Sequence, residues 1–159
     1  MIQSKLKNLD SNSRTLILSY LIVIGVGMSF GLLYVYLTSE MNPTGMVEQY
    51  KGNNDDWDPK LPKTITDLVS QAHDHITMFS IIFLTIGFIF NQNSIVTGIW
   101  KKFLIVEPFF SILITFIGFF VLRYITDTFA YIIMLSSGLM YICFYLMLFI
   151  SIYEILNSN

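Results

Sequence analysis

Residues 15–37 read TLILSYLIVIGVGMSFGLLYVYL, and no charged residue occurs between Arg14 and Glu40. At about 1.5 Å of rise per residue this run crosses a hydrocarbon core of roughly 30 Å, so it is read as a membrane-spanning helix. A secretory leader has a shorter apolar core and small residues at its cleavage site. Here Thr38, Ser39 and Glu40 follow, and the run reads as a retained anchor. Two further runs match it: residues 103–122, interrupted only by Glu107, and residues 128–153, which carry no charge.

A fourth apolar run, residues 76–90, is about five residues too short for the core. The missing turn and a half comes from Gln71, Ala72, His73, Asp74 and His75. Thr64 or Thr66 can cap a helix that continues through Asp67, whereas Asn91, Gln92 and Asn93 read as a turn. The expected spans are therefore about 15–37, 71–90, 103–122 and 128–153. The fold class is an all-α membrane protein, an up-down-up-down bundle of four transmembrane helices with a long loop, about residues 38–65, between the first two.

Composition agrees. Of 159 residues 54% are hydrophobic and 13% charged, against about a quarter charged in soluble domains. The net charge of −2 offers nothing to phosphates, so nucleic acid is excluded as a partner. The single cysteine, Cys143, excludes a disulfide framework and a four-thiolate zinc site. Lys5, Lys7 and Arg14 precede the first span and Lys101 and Lys102 the third, while Lys51, Lys60, Lys63 and Arg123 lie on the opposite side. The positive-inside rule then places both termini in the cytoplasm.

In the long loop, Asn42-Pro43, Gly45 and Asp58-Pro59 read as turns. Asp55, Asp56 and Asp58 lack the Gly and closing Glu of a calcium-binding EF-hand loop and read as a solvated acidic segment. Tyr50 and Trp57 are expected to fold the loop back onto lipid headgroups.

Polar groups near hydrocarbon are expensive, which singles out His73-Asp74-His75 and Glu107-Pro108. Imidazole suits haem iron, copper and zinc, so His73 and His75 are the candidate cofactor and metal ligands, with haem b or copper as the cofactor. Residues two apart differ by about 200° around a helix, so the pair cannot grip one ion unless the segment unwinds. His73 continues along Thr77, Ser80, Leu84 and Gly87, and His75 along Phe79, Ile82 and Ile86. The smaller, more polar stripe is expected to face the bundle, which makes His73 the inward residue and places His75 at the lipid-water boundary or against the long loop.

Glu107 shares a face with Ser111, Thr115 and Gly118, and Lys101, Lys102 or a hydroxyl is expected to satisfy it. Pro108 removes an amide donor beside it and can bend the helix. Arg123 and Asp127 are expected to pair with Asp74 or His73. Close packing is expected at Ser136, Ser137, Gly138 and Cys143, and at the Gly27/Gly31 pair with Gly25 and Ser29.

The run Gly45-Met46-Val47-Glu48-Gln49-Tyr50-Lys51-Gly52-Asn53, followed by Pro62-Lys63, His73-Asp74-His75, Glu107-Pro108-Phe109 and Ser137-Gly138, resembles a group of small bacterial four-helix inner-membrane proteins. The resemblance implies a multi-pass protein of the bacterial inner membrane and supplies neither an activity nor a cofactor.

Residue counts exclude a two-haem transmembrane cytochrome, a quinone-linked disulfide generator and a small multidrug antiporter, and no nucleophile-base pair or phosphate loop is present. The leading expectation is a non-enzymatic accessory or assembly-linked subunit. It would act through its outer loop and helix packing, with the lipid bilayer, other membrane subunits or further copies of itself as partners. The alternatives are a haem- or copper-linked protein using His73 or His75, and a proton or solute pathway from His73 to Glu107.

Overall fold

A computed structural model describes residues 6–53, 57 and 59–157. Five α-helices follow a short 3-10 turn at Leu6–Asn8: α1 (Ser11–Ser39), α2 (Pro43–Lys51), α3 (Ile65–Asn91), α4 (Gly98–Tyr124) and α5 (Phe129–Leu156). There is no strand among the described residues. The helices α1, α3, α4 and α5 are long and apolar enough to cross a membrane.

The ends of these helices follow local chemistry. Asp10 caps α1 by accepting from the amides of Asn12 and Ser13, each at 3.1 Å. This hydrogen bonding holds its carboxyl below the usual carboxylate range. Thr64 caps α3 in a reciprocal box: its hydroxyl accepts from the Asp67 amide at 3.1 Å, and the Asp67 carboxylate accepts from the Thr64 amide at 3.0 Å. α3 thus begins well before the apolar run that announces it.

The segment expected to be loop contains α2. Asn42-Pro43, read as a turn, is instead a helix start: the Asn42 side chain accepts from the Gly45 amide at 2.7 Å, and Pro43 occupies the first helical turn. The same two residue types serve both purposes, because proline at the first helical position loses no bond. Glu40 and Met41, at φ of 53° and 50°, turn the chain sharply between α1 and α2. A Cβ at Gly45 would sit 2.3 Å from the Ser39 carbonyl oxygen, so only glycine allows α2 to lie this close to the end of α1. The aspartates Asp55, Asp56 and Asp58 lie outside the described residues.

α5 is the central helix and touches every other element. Its contact with α4 is the tightest: a Cβ on Gly118 would fall 2.8 Å from Ile133 Cγ1. Beside it the Thr115 hydroxyl donates to Ser136 Oγ at 3.2 Å, and Ser136 donates to the Ser111 carbonyl at 3.0 Å. α3 joins through aromatic edges, Phe83 against Phe144 and Phe79 against Phe116, with ring centroids 6.0 Å apart in each pair.

α1 lies on α5 in the opposite direction. Arg14 donates to the Leu156 carbonyl at one end, and Ser29 Oγ meets Tyr145 Oη at 2.8 Å further along. The packing stripe on α1 runs through Gly25, which faces Leu148, and Ser29. Gly27 and Gly138, expected to mark close contacts, face open space.

Packing at Gly118 carries a consequence for stability. Gly118→Val is expected to destabilise the bundle by about 1–3 kcal/mol through overpacking, whereas Gly138→Ala leaves the melting temperature in detergent unchanged. Equal melting of the two variants would show that the α4–α5 contact is looser than described.

Candidate functional site

The motif between α1 and α3 is built as a cap over one end of the bundle. Met46 and Tyr50, one turn apart on α2, point inward and are each 6% exposed. The Tyr50 ring stacks on Phe119 of α4 at 4.3 Å, so this residue is a core anchor and does not sit among headgroups. Gly52, at φ of 83°, turns the chain where a side chain would strike the Lys60 carbonyl. Asn53 then pairs with Lys60 through two bonds, its amide donating to the Lys60 carbonyl at 3.0 Å and its side-chain oxygen accepting from the Lys60 amide at 2.8 Å. Glu48 lies 3.7 Å from the Lys60 ammonium.

Two further ties fasten this cap. Arg123 donates to the Lys63 carbonyl at 3.0 Å, and Lys51 forms an ion pair with Asp127. Arg123 and Asp127 therefore do not pair with Asp74 or His73. Both are committed to the segments that hold α2 down.

Beneath the cap lies a cavity of about 610 Å³, within the usual range for small-molecule sites. α1 contributes Gly31, Tyr34 and Thr38, and α2 contributes Gln49 and Tyr50. α3 presents Gln71, Asp74, His75 and Phe79, and the inner walls are Thr115, Phe116 and Phe119 of α4 with Ser137, Met140 and Tyr141 of α5. The lining mixes polar side chains with aromatic rings.

His75, not His73, belongs to this cavity. Its ring lies 5.2 Å from Phe116 and 5.9 Å from Phe79, and its Nδ1 is 2.9 Å from the Gln71 carbonyl. Both histidines are exposed, but only His75 lines the cavity. The expectation that His73 is the inward residue fails at this end of α3 because the ring contacts with α4 fall on the other stripe: Phe79 and Ile82 are partly buried and Ile86 fully so, while Thr77 and Leu84 on the stripe of His73 stay exposed. Further along that stripe Ser80 is half-buried and Gly87 is buried, as a small-residue contact face predicts. Among the described residues no three His, Cys, Asp or Glu side chains gather as a metal site.

Glu107 lies outside the cavity, on the α4–α5 seam. Ser111, one turn on, donates to its Oε1, and the Cys143 thiol lies beside it. Its Oε2 is buried without a hydrogen-bond partner. Lys101 is used elsewhere, donating to the carbonyls of Asn91 and Asn93. α4 runs through Pro108 without a break.

A second polar cluster, not anticipated from the sequence, closes the end where α1 begins and α5 finishes. Glu154, 6% exposed, accepts from the Asn93 side chain and from the Ser94 amide at 2.9 and 3.0 Å. Asn93 in turn accepts from the amides of Ile95 and Val96 at 2.9 and 2.8 Å. The signal was a lone carboxylate directly after an uncharged span, facing an Asn-Gln-Asn-Ser turn.

Two measurements test these clusters. Glu154→Leu strands the Asn93 and Ser94 donors and is expected to cost about 3 kcal/mol, Glu154→Gln only about 1; equal losses in thermal unfolding would refute the latch. Burial pushes the Tyr50 hydroxyl above its ordinary value, the Gln71 bond opposing this only in part. The stabilisation this represents is complete below the ordinary tyrosine value of about 10 and is lost as pH climbs past it. Tyr50→Phe should therefore show a flatter alkaline loss of stability than the unmodified protein.

A family model of a transmembrane helical domain matches residues 40–159, which take in α2 to α5. No curated protein and no solved structure matches the chain.

Proposed function

The chain belongs to the Aq_1264_TM family of transmembrane helical domains, and within that frame we propose that it is a non-enzymatic accessory subunit of a bacterial inner membrane that acts by binding. Its termini lie in the cytoplasm and the α2 cap on the far side, where the cavity takes up a small amphipathic molecule. The observation that carries this reading is the cavity of about 610 Å³, whose lining combines polar side chains with aromatic rings. Such a mixed lining matches a molecule with a polar head and an apolar body.

The arrangement favours binding over transport. A path from His73 to Glu107 would begin on a residue outside the cavity. The polar seam from Thr115 through Ser136 ends on the Ser111 carbonyl, which only accepts hydrogen bonds. The seam joins helices and offers no hydroxyl relay to Glu107. The role of a contact subunit, first expected of a loose outer loop, passes to a folded cap whose rim is fixed by Arg123 and Asp127.

The test is direct. Protein purified in mild detergent and extracted with organic solvent is expected to yield one amphiphile in near-stoichiometric amount by mass spectrometry. Gly31→Phe places a ring where a Cβ already meets Tyr141 Oη at 2.9 Å, and Ser137→Leu fills the opposite wall; each should lower the yield by about tenfold or more while the melting temperature confirms folding. An extract holding only bulk lipids in membrane proportions would overturn the reading.

A further inference from the structure

We propose that the cavity selects an isoprenoid quinone or its quinol, with His75 and Tyr141 as the hydrogen-bonding partners of the ring. This inference rests on the binding reading above and names the chemical class of its ligand.

Three observations converge on a neutral, planar head. First, one wall of the cavity is aromatic: Phe116 lies 5.2 Å from His75 and 5.6 Å from Phe119, and Phe79 lies 6.0 Å from Phe116. Such walls favour a flat ring over a branched headgroup. Second, the charged side chains of the lining are Lys63, Asp67 and Asp74, an acidic excess that disfavours an anionic phosphate head. Third, two hydrogen-bonding groups on different helices remain available. His75 Nδ1 must donate to the Gln71 carbonyl, since a carbonyl only accepts. Its Nε2 is thereby assigned: in the neutral ring it accepts from a quinol hydroxyl, and in the charged ring it donates to a quinone carbonyl. Tyr141, on α5, makes no hydrogen bond among the described residues, and its hydroxyl lies against Gly31 at the cavity wall. Two partners on separate walls suit a ring with an oxygen at each end.

In this proposal the tail runs between α1 and α3, both of which line the cavity.

The experiment uses the full chain in detergent and 2-heptyl-4-hydroxyquinoline N-oxide, a quinol analogue whose fluorescence falls on binding. Saturable quenching at one site per chain is expected, reversed by a short-chain ubiquinone or menaquinone. His75→Phe, which keeps a ring against Phe116, and Tyr141→Phe, which removes only the hydroxyl, should each weaken binding by about tenfold. His73→Phe should leave it unchanged. Quenching equally strong in both cavity variants would overturn the assignment. Absence of saturable quenching while the extract still holds one stoichiometric non-quinone amphiphile would overturn the quinone class and leave the binding reading standing. Absence of both would overturn the two together.

Discussion

The close approach of α4 to α5 at Gly118 is the contact on which the remaining structure depends. In a bilayer the surroundings are as apolar as the side chains, so helices gain little by hiding leucine from lipid. What holds them is dense packing and hydrogen bonds between helices. Gly118 supplies the first by letting Ile133 occupy the place of a side chain, and Ser136 supplies the second by bonding to the Ser111 carbonyl. With α4 and α5 fixed, their shared groove accepts the aromatic edge of α3, and Phe83 and Phe144 become fully buried.

α1 is held by a thinner stripe, and this difference makes the cavity. Gly25 and Ser29 bring it close to α5 over the middle of its length. Towards the cap α2 is inserted, anchored by Met46 and Tyr50 against the inner helices. The space below α2 is bounded by α1 and α3, which meet further from the cap where Tyr20 lies against Thr85. The cavity is thus a consequence of where α2 is tied, and the ties are specific: the Arg123 bond to the Lys63 carbonyl and the ion pair of Lys51 with Asp127.

The four spans were legible because length and charge spacing answer directly to bilayer thickness, and a cap at Thr64 or Thr66 was legible because capping is local chemistry; the box with Asp67 decides for Thr64. α2 was not legible, since Asn-Pro opens a turn or a helix with equal ease and the nine residues of α2 are held by distant contacts at Phe119 and Arg123. Glu107 was identified as a seam residue from its face with Ser111, but its orphaned Oε2 depends on the path of α5 beside it. Glu154 required knowing that the end of α5 meets the turn after α3, a contact across sixty-one positions from Asn93.

The histidines show why a polar stripe can mislead. Small and polar residues mark the contact face of a helix that packs on another backbone, as Gly25 and Ser29 do on α1. α3 instead packs through the rings of Phe79 and Phe83 as well as through buried Gly87, so residue size alone does not mark its contact face. His75, itself exposed, lies one turn before Phe79 on that aromatic side, and its ring joins Phe116 as one more aromatic surface. Its position is therefore set by packing, while its Nδ1 is committed by the Gln71 carbonyl. The one polar atom left over, Nε2, belongs to a ring that is accessible at the cavity wall, so the same packing that orients the imidazole determines which of its nitrogens a ligand can meet.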